Sequence, residues 1–131
     1  MRFLFLLLSC VVAVLPLRAE EKKEYKGAHL KFEQTEYDFG EISRRSNDKR
    51  CVFRFVNDGT EPLVILSAVT SCSCLKAEFS RKPIAVGESG EIKLVLESKK
   101  VDKGIFRRVI QINSTSVSGT EILTIKGISK D

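Results

Sequence analysis

Cys72 and Cys74, which are separated by a single serine, are the most reactive side chains in this sequence. In an extended strand, residues two apart point the same way with Cα atoms roughly 6.6 Å apart, at the outer edge of what a disulfide spans. A local turn would bring the two sulfurs within bonding range, and the resulting small ring would be easily reduced. The spacing therefore predicts either a disulfide or two adjacent thiols.

Four interpretations of the C-x-C pair are open from the sequence. It can be structural, as a disulfide or as two small buried thiols. It can be redox-active, because exposed or strained disulfides are the reactive ones. It can hold a soft metal ion, copper(I) above all, since thiolates select such ions. It can also attach a partner or a cofactor.

Cys51 has the same strand parity as Phe53 and Phe55, so we expect it to face the core as a small hydrophobe. Its pairing with Cys72 or Cys74 is an open alternative, because a sequence does not determine disulfide connectivity.

The sequence offers few groups for catalysis. His29 is the only histidine, and we expect it to be exposed where the first strand begins. A Ser/His/Asp or Cys/His arrangement would have to use it, and the adjoining sequence supplies no carboxylate in a recognisable context. Asp58 lies in a turn, where carboxylates usually bond local backbone amides. No spacing of three or four zinc ligands occurs. We therefore expect no enzyme, no catalytic residue, no resident metal and no cofactor.

The N-terminus has the pattern of a secretory signal peptide. Arg2 precedes an apolar run of about 15 residues, Phe3 to Leu17, which is short of the roughly 20 that span a bilayer as a helix. We place cleavage between Ala19 and Glu20, so that residues 1–19 are removed.

Two alternatives to this cleavage are open. The segment Leu7–Cys10 resembles a lipobox, in which Cys10 would be lipidated and anchor the protein to a membrane. The apolar segment could also stay in place as an uncleaved anchor.

Removal of residues 1–19 leaves a length that suits one domain. Loss of Arg2 and Arg18 lowers the net charge from +5 to +3, and the basic residues are scattered over several loops. They form no face on which aromatic residues alternate with basic ones, so nucleic-acid binding has no support. We interpret residues 20–29 as a charged tether and residues 30–131 as the domain.

Short apolar segments alternate with turn residues at intervals of about ten, which is typical of a β-sandwich. Asn57, Asp58, Gly59 and Pro62 mark one turn. Leu63–Val69 is apolar on both parities, which predicts a central strand covered on two sides. The expected strands are 30–42 (one strand or a kinked pair), 50–56, 63–69, 75–79, 91–97, 105–113 and 121–128. We predict an all-β, Ig-like, two-layer antiparallel β-sandwich of seven to eight strands.

Six motifs occur in an order that resembles a known family. They are T-E-Y-D-F-G-E-I (35–42), F-x-F-x-N-D-G-T-E-P-L-V-I (53–65), S-C-S-C (71–74), K-P-I-A-V-G-E-S-G-E-I (82–92), G-x-F (104–106) and L-T-I-K-G (123–127). This pattern resembles the small secreted bacterial domains of unknown function numbered fifteen seventy-three, which are related to Hydin-type Ig-like modules. That family usually has S-C-G-C-T where this chain has S-C-S-C-L. The resemblance implies the sandwich fold and no established activity.

From fold, compartment and the missing catalytic groups, we expect a binding or structural module of the cell envelope. It would be exported to the periplasm or cell surface of a Gram-negative bacterium. Sheet edges or end loops would contact an envelope protein or a glycan, with Ser71–Leu75 as the preferred region. The alternative function is a redox-active or copper(I)-handling protein that uses Cys72 and Cys74.

Overall fold

The computed structural model of the protein describes residues 13–14 and 25–131. The expected signal peptide, its cleavage between Ala19 and Glu20, and the alternative lipid site at Cys10 lie outside the described residues. So do the first five residues of the expected tether, residues 20–24.

The described residues form eight strands and one short 3-10 helix, which confirms the all-β class and the expected number of strands. The strands are β1 (Leu30–Phe32), β2 (Glu36–Ser43), β3 (Lys49–Asn57), β4 (Ile65–Val69), β5 (Leu75–Glu78), β6 (Ser89–Leu96), β7 (Gly104–Ser114) and β8 (Glu121–Lys130), and the helix is Ser98–Lys100. Two four-stranded sheets result, with strand orders β1-β3-β6-β5 and β2-β8-β7-β4.

The core lies between the two sheets, where alternate side chains of each strand point inward. Phe53 and Phe55 of β3 are 3% and 2% exposed, and Ile92 and Leu96 of β6 are fully buried. Ile110, Ile112, Leu123 and Ile125 fill the core from β7 and β8. Burial of each such side chain is worth about 1.5–3 kcal/mol. Because every second side chain of each strand points inward, the two sheets pack face to face as a sandwich.

The first expected strand is a kinked pair whose halves join different sheets. Before the kink, the Glu33 N–H donates to the Arg54 carbonyl at 2.9 Å; after it, the Thr124 N–H donates to the Thr35 carbonyl at 2.8 Å. The chain keeps its direction as it crosses, so β2 runs parallel to β8. The expectation of a wholly antiparallel sandwich is therefore wrong for this pair, because the change of sheet needs no reversal of the chain.

The expected central strand at Leu63–Val69 is instead an edge strand. β4 begins only at Ile65 and pairs with β7 on one side alone. Leu66 and Val69 are 51% and 50% exposed, so the second apolar face is open to solvent. Apolar residues on both parities indicated burial on two sides, but here one face packs on the core and the other is exposed.

Candidate functional site

β4 differs from the other three edge strands of the sandwich in having no charge. β1 is only three residues long, β5 includes Lys76 and Glu78, and β2 includes three acidic residues and a register shift between Asp38 and Glu41. Short length, charge and bulges are the usual devices that keep an edge strand from pairing with another chain. The sequence of β4, I-L-S-A-V, contains no charged residue, although its register shifts between Ile65 and Ser67.

The outer side of β4 adjoins a shallow groove of about 250 Å³. Val69, Ser71, Val109 and Gln111 line it. Val69 is paired with Gln111 across the sheet, and Val109 is 48% exposed. The backbone of an edge strand presents unpaired N–H and C=O groups outward. The groove lies on the outer face between β4 and β7, and the free backbone groups of β4 lie along its other side, away from β7. Apolar side chains beside an unpaired strand edge are the chemistry that an extended peptide segment matches.

The C-x-C pair lies directly after β4, in the loop that crosses to β5 in the other sheet. A disulfide joins Cys72 to Cys74 across a Cα–Cα distance of 5.2 Å. A turn produces this short distance: the Cys72 N–H donates to Thr70 Oγ1 at 3.2 Å, and the Leu75 N–H donates to the Cys72 carbonyl at 3.2 Å.

The two cysteines differ in burial. Cys74 is fully buried in the core, whereas Cys72 is only partly buried and lies between the exposed Ser71 and Ser73. A disulfide that closes a loop of three residues constrains the unfolded chain by only about 1.6 kcal/mol, against about 3 kcal/mol for a 15-residue loop. As a stabilising cross-link, this disulfide contributes little.

Cys51 is buried, at 6% exposure, and is a free thiol. Burial raises the pKa of this thiol to about 11. Cys51 and Ala77 both pair with Leu94, so they lie two strands apart, and Cys74 is three residues before Ala77 in the chain. The Cα atoms of Cys51 and Cys74 are thus about 14 Å apart. A disulfide spans at most about 6.8 Å, so the alternative pairing of Cys51 with the C-x-C pair is wrong in this fold.

His29 is buried, at 9% exposure, which corrects the expectation that it is exposed. Its Nδ1 contacts the Asp58 carboxylate, and its ring stacks on Tyr25 with centroids 3.5 Å apart. The carboxylate that the local sequence seemed to lack comes from a turn 29 residues away. Ser116 lies nearby, but its hydroxyl accepts the Leu30 N–H at 3.0 Å and bonds Ser118. These contacts join residues 25–30 to the rest of the domain and provide no activated nucleophile.

Asn57 is a buried polar residue whose role the sequence did not reveal beyond marking a turn. It is fully buried, and its side-chain oxygen accepts the N–H groups of His29 and Gly59 at 3.3 and 3.1 Å. Its side-chain nitrogen donates to the carbonyls of Glu61 and Ile84 at 2.7 and 3.0 Å. Every hydrogen-bonding group of the side chain is thereby used. The N-D-G-T motif therefore has a structural role: through Asn57 it connects the end of β3 to His29, to its own turn and to Ile84.

Glu97 forms a charged cluster beside the disulfide loop. Its N–H donates to the Cys74 carbonyl at 2.8 Å, and its carboxylate contacts Lys100 at 2.5 Å and Lys76 at 2.9 Å. Lys100 first and Lys76 second hold the pKa of Glu97 at about 2. The carboxylate is therefore ionised at neutral pH, and the cluster fixes the end of β6 against the start of β5.

Among residues 13–14 and 25–131, no three His, Cys, Asp or Glu side chains are grouped as metal ligands. Copper(I) at the C-x-C pair would need the reduced form, whose two thiolates would be the only sulfur ligands in the loop. Within the same described residues, no helix has the length and apolar character to cross a membrane.

A family model described as "Protein of unknown function (DUF1573)" matches residues 30–129. The matched span runs from the first residue of β1 to Ser129 in β8, so it covers the sandwich. The sequence matches no curated protein.

Three solved structures share this fold at low identity. A protein of unknown function from Porphyromonas gingivalis W83 is 16% identical, with a TM-score of 0.67 over 82% of this chain and 50% of that chain. The ASH/PapD-like domain 7 of human CEP192 is 8% identical, with a TM-score of 0.60 over 89% of this chain and 97% of that chain. The secreted serine protease VesC of Vibrio cholerae is 15% identical, with a TM-score of 0.57 over 79% of this chain and 23% of that chain. The chain thus spans half or less of the Porphyromonas and Vibrio proteins. At these identities the likeness concerns the fold alone.

Proposed function

The chain belongs to the DUF1573 family of proteins of unknown function, and we propose that it is a non-enzymatic binding module that receives an extended segment of another envelope protein along β4. The segment adds as a further strand to the sheet β2-β8-β7-β4. Backbone hydrogen bonds provide the affinity, and the apolar positions Leu66 and Val69 select the side chains of the partner.

The observation that supports this proposal is the contrast between β4 and the other edges. An edge with exposed apolar side chains and no charge is a liability for a free protein, because it templates pairing with other chains. A partner strand that covers this edge would explain why its exposed apolar residues are present. Ser67 and Asn113 hydrogen-bond at 2.9 Å beside the edge, which fixes β4 on β7 before a segment arrives.

The module acts outside the cytoplasm, in the periplasm or at the cell surface. Arg2, the apolar run Phe3–Leu17 and Ala19 support export. A lipid on Cys10 would be an alternative means of retention at a membrane.

A photo-reactive amino acid placed at Val69 tests the proposal in a bacterium that expresses the protein. Irradiation should join β4 to one protein of the envelope. The matched control has the same amino acid at Val52, which is 44% exposed on the outer face of the other sheet and should give no such product. A second change, Leu66→Lys, should remove most of the product, since a lysine on an edge opposes strand pairing.

Hydrogen exchange then distinguishes strand addition from other contacts. In the purified complex, amides of Ile65–Val69 should exchange more slowly than in the free protein, because the added strand bonds their backbone. Equal products from Val52 and Val69, or a glycan in place of a protein, would refute the proposal. Unchanged amide exchange would refute the strand-addition geometry.

A further inference from the structure

We propose that the Cys72–Cys74 disulfide is a thiol–disulfide exchange site at which the incoming thiol attacks Cys72. The substrate class is a dithiol, either a pair of cysteines in another exported protein or two molecules of a small thiol such as glutathione. This exchange takes place at the disulfide loop and does not depend on segment binding at β4.

Access determines which sulfur reacts. A thiolate attacks along the sulfur–sulfur axis and expels the far sulfur, so one sulfur must face solvent and the other can be enclosed. Cys72 is partly exposed between Ser71 and Ser73, while Cys74 is fully buried among core residues. Approach to Cys74 is blocked by the core, whereas Cys72, although it packs against the core, keeps part of its surface exposed to solvent.

The loop has contacts that do not need the disulfide. The Thr70–Cys72 and Cys72–Leu75 hydrogen bonds form the turn, and the Glu97 N–H holds the Cys74 carbonyl at 2.8 Å. Cys74 also packs in the core as a small apolar side chain. Opening a three-residue ring releases little chain entropy. The fold therefore persists in the dithiol form, and the pair can cycle between its two states.

A thiolate of the substrate forms a bond to Cys72 Sγ, the bond between the two sulfurs breaks, and its electron pair leaves on Cys74 Sγ, which takes up a proton. A second substrate thiolate then attacks the substrate sulfur of the mixed disulfide and expels Cys72 as a thiolate, which is protonated in turn. The substrate dithiol is oxidised to a disulfide by two electrons, and the C-x-C pair is reduced to two thiols.

Native incubation of the purified protein in reduced glutathione tests the cycle, with peptide mapping to separate Cys72 and Cys74 from Cys10 and Cys51. We expect the disulfide to open while circular dichroism stays that of the folded protein. Oxidised glutathione should close it again. A disulfide that opens only in denaturant would overturn the proposal, because structural disulfides resist glutathione.

Two single variants test which sulfur is attacked. With oxidised glutathione, Cys74→Ala should gain one glutathione on Cys72 at least about tenfold faster than Cys72→Ala gains it on Cys74. Denatured samples of both variants should react at similar rates, which removes any intrinsic difference. Equal native rates with both variants folded would overturn attack at Cys72. The variant Leu66→Lys should exchange as the unchanged protein does, so loss of segment binding and loss of exchange are distinguishable.

Discussion

At the scale of single residues, the side chain of Asn57 hydrogen-bonds segments that the backbone of its own turn does not reach. Its amide joins the N–H of His29, the turn at Gly59 and Glu61, and the carbonyl of Ile84. A buried amide with four partners stabilises only as a complete set, because removal leaves several polar groups without water or a partner.

Replacement of Asn57 by alanine should lower the free energy of unfolding by about 3 kcal/mol, since buried donors and acceptors lose their partners. Urea denaturation measures the change. The control is Asn113→Ala, whose partners Ser67 and Thr120 have access to water and whose cost should stay under about 1 kcal/mol. Equal losses in the two variants would contradict the role given to Asn57.

The buried thiol of Cys51 should make stability fall at alkaline pH. Its folded pKa of about 11 lies above the ordinary 9.0, so the folded state disfavours the thiolate. Below pH 9 both states hold the proton; between 9 and 11 the unfolded chain loses it first, and stability decreases. Urea midpoints across this range should fall more steeply for the unchanged protein than for Cys51→Ala. Parallel curves would contradict this prediction.

The position of Cys51 on the same side of its strand as Phe53 and Phe55 was enough to predict that it is buried. The turn that a disulfide between Cys72 and Cys74 would require is the turn that the backbone forms there. The environment of His29 was not predictable, because its partner Asp58 is remote in the sequence. The four hydrogen bonds of Asn57 were hidden for the same reason: a turn motif specifies a local conformation and not the segments that dock on it.

At the scale of elements, the joint between β5 and β6 depends on an ion cluster beside the disulfide loop. The Glu97 side chain is 11% exposed and bonded to two lysines, so its charge is favoured in the folded state. Its folded pKa of about 2 lies below the ordinary 4.5. The stabilisation is therefore present above pH 4.5 and is lost as pH falls toward 2.

Glu97→Gln should lower the melting temperature at neutral pH, and the gap to the unchanged protein should close as the pH is reduced from 4.5 to 2. Calorimetry across this range measures the gap. Glu91→Gln is the control, because its exposed pair with Lys93 at 3.6 Å contributes little to stability at any pH. A gap for Glu97→Gln that stays constant with pH would contradict the cluster.

Alternation predicted β3 and β6 because apolar residues dominate one parity of each strand and charged residues lie on the other. The same rule failed for β4, since a covered second face and an open apolar one give an identical pattern. Whether Leu66 is buried depends on whether another layer covers the outer face of its sheet, and the residues of β4 do not specify this.

At the scale of the whole molecule, the segment before β1 is docked on the domain. The Thr60 N–H donates to the Gly27 carbonyl at 2.7 Å, and the Val117 N–H donates to the Ala28 carbonyl at 2.8 Å. Gly59 allows this approach: a Cβ there would lie 2.1 Å from the Gly27 carbonyl oxygen. Residues 25–29, expected as the end of a tether, thus have backbone partners in the domain.

Gly59→Ala should therefore release residues 25–29 from the domain while the sandwich stays folded. Amide exchange at Thr60 and Val117 should become faster, with amides of β6 unchanged. Gly87→Ala is a suitable control, because a Cβ there meets no neighbour and its cost comes only from a positive φ of 81°. Protection at Thr60 that survives Gly59→Ala would contradict the docking.

The two-layer architecture followed from strand count and spacing, but the assignment of strands to sheets did not. The sequence allowed a kinked pair within residues 30–42 but did not place the kink, and the effect of the kink at residues 33–35 depends on which carbonyls and amides lie on each side. Long-range pairing of β2 with β8 joins the second and last strands of the domain, and no local pattern specifies such a contact.

The parallel pairing of β2 and β8 also has a mechanical consequence. β1 begins at the end of the molecule where Asn57 lies, and β8 finishes at the opposite end, beside Ser43. Tension between these two points pulls β2 and β8 past each other along their length, so their hydrogen bonds are loaded together in shear and do not unzip one by one. If the start of β1 were anchored and the end of β8 were pulled, the hydrogen bonds between β2 and β8 would together resist unfolding of the domain.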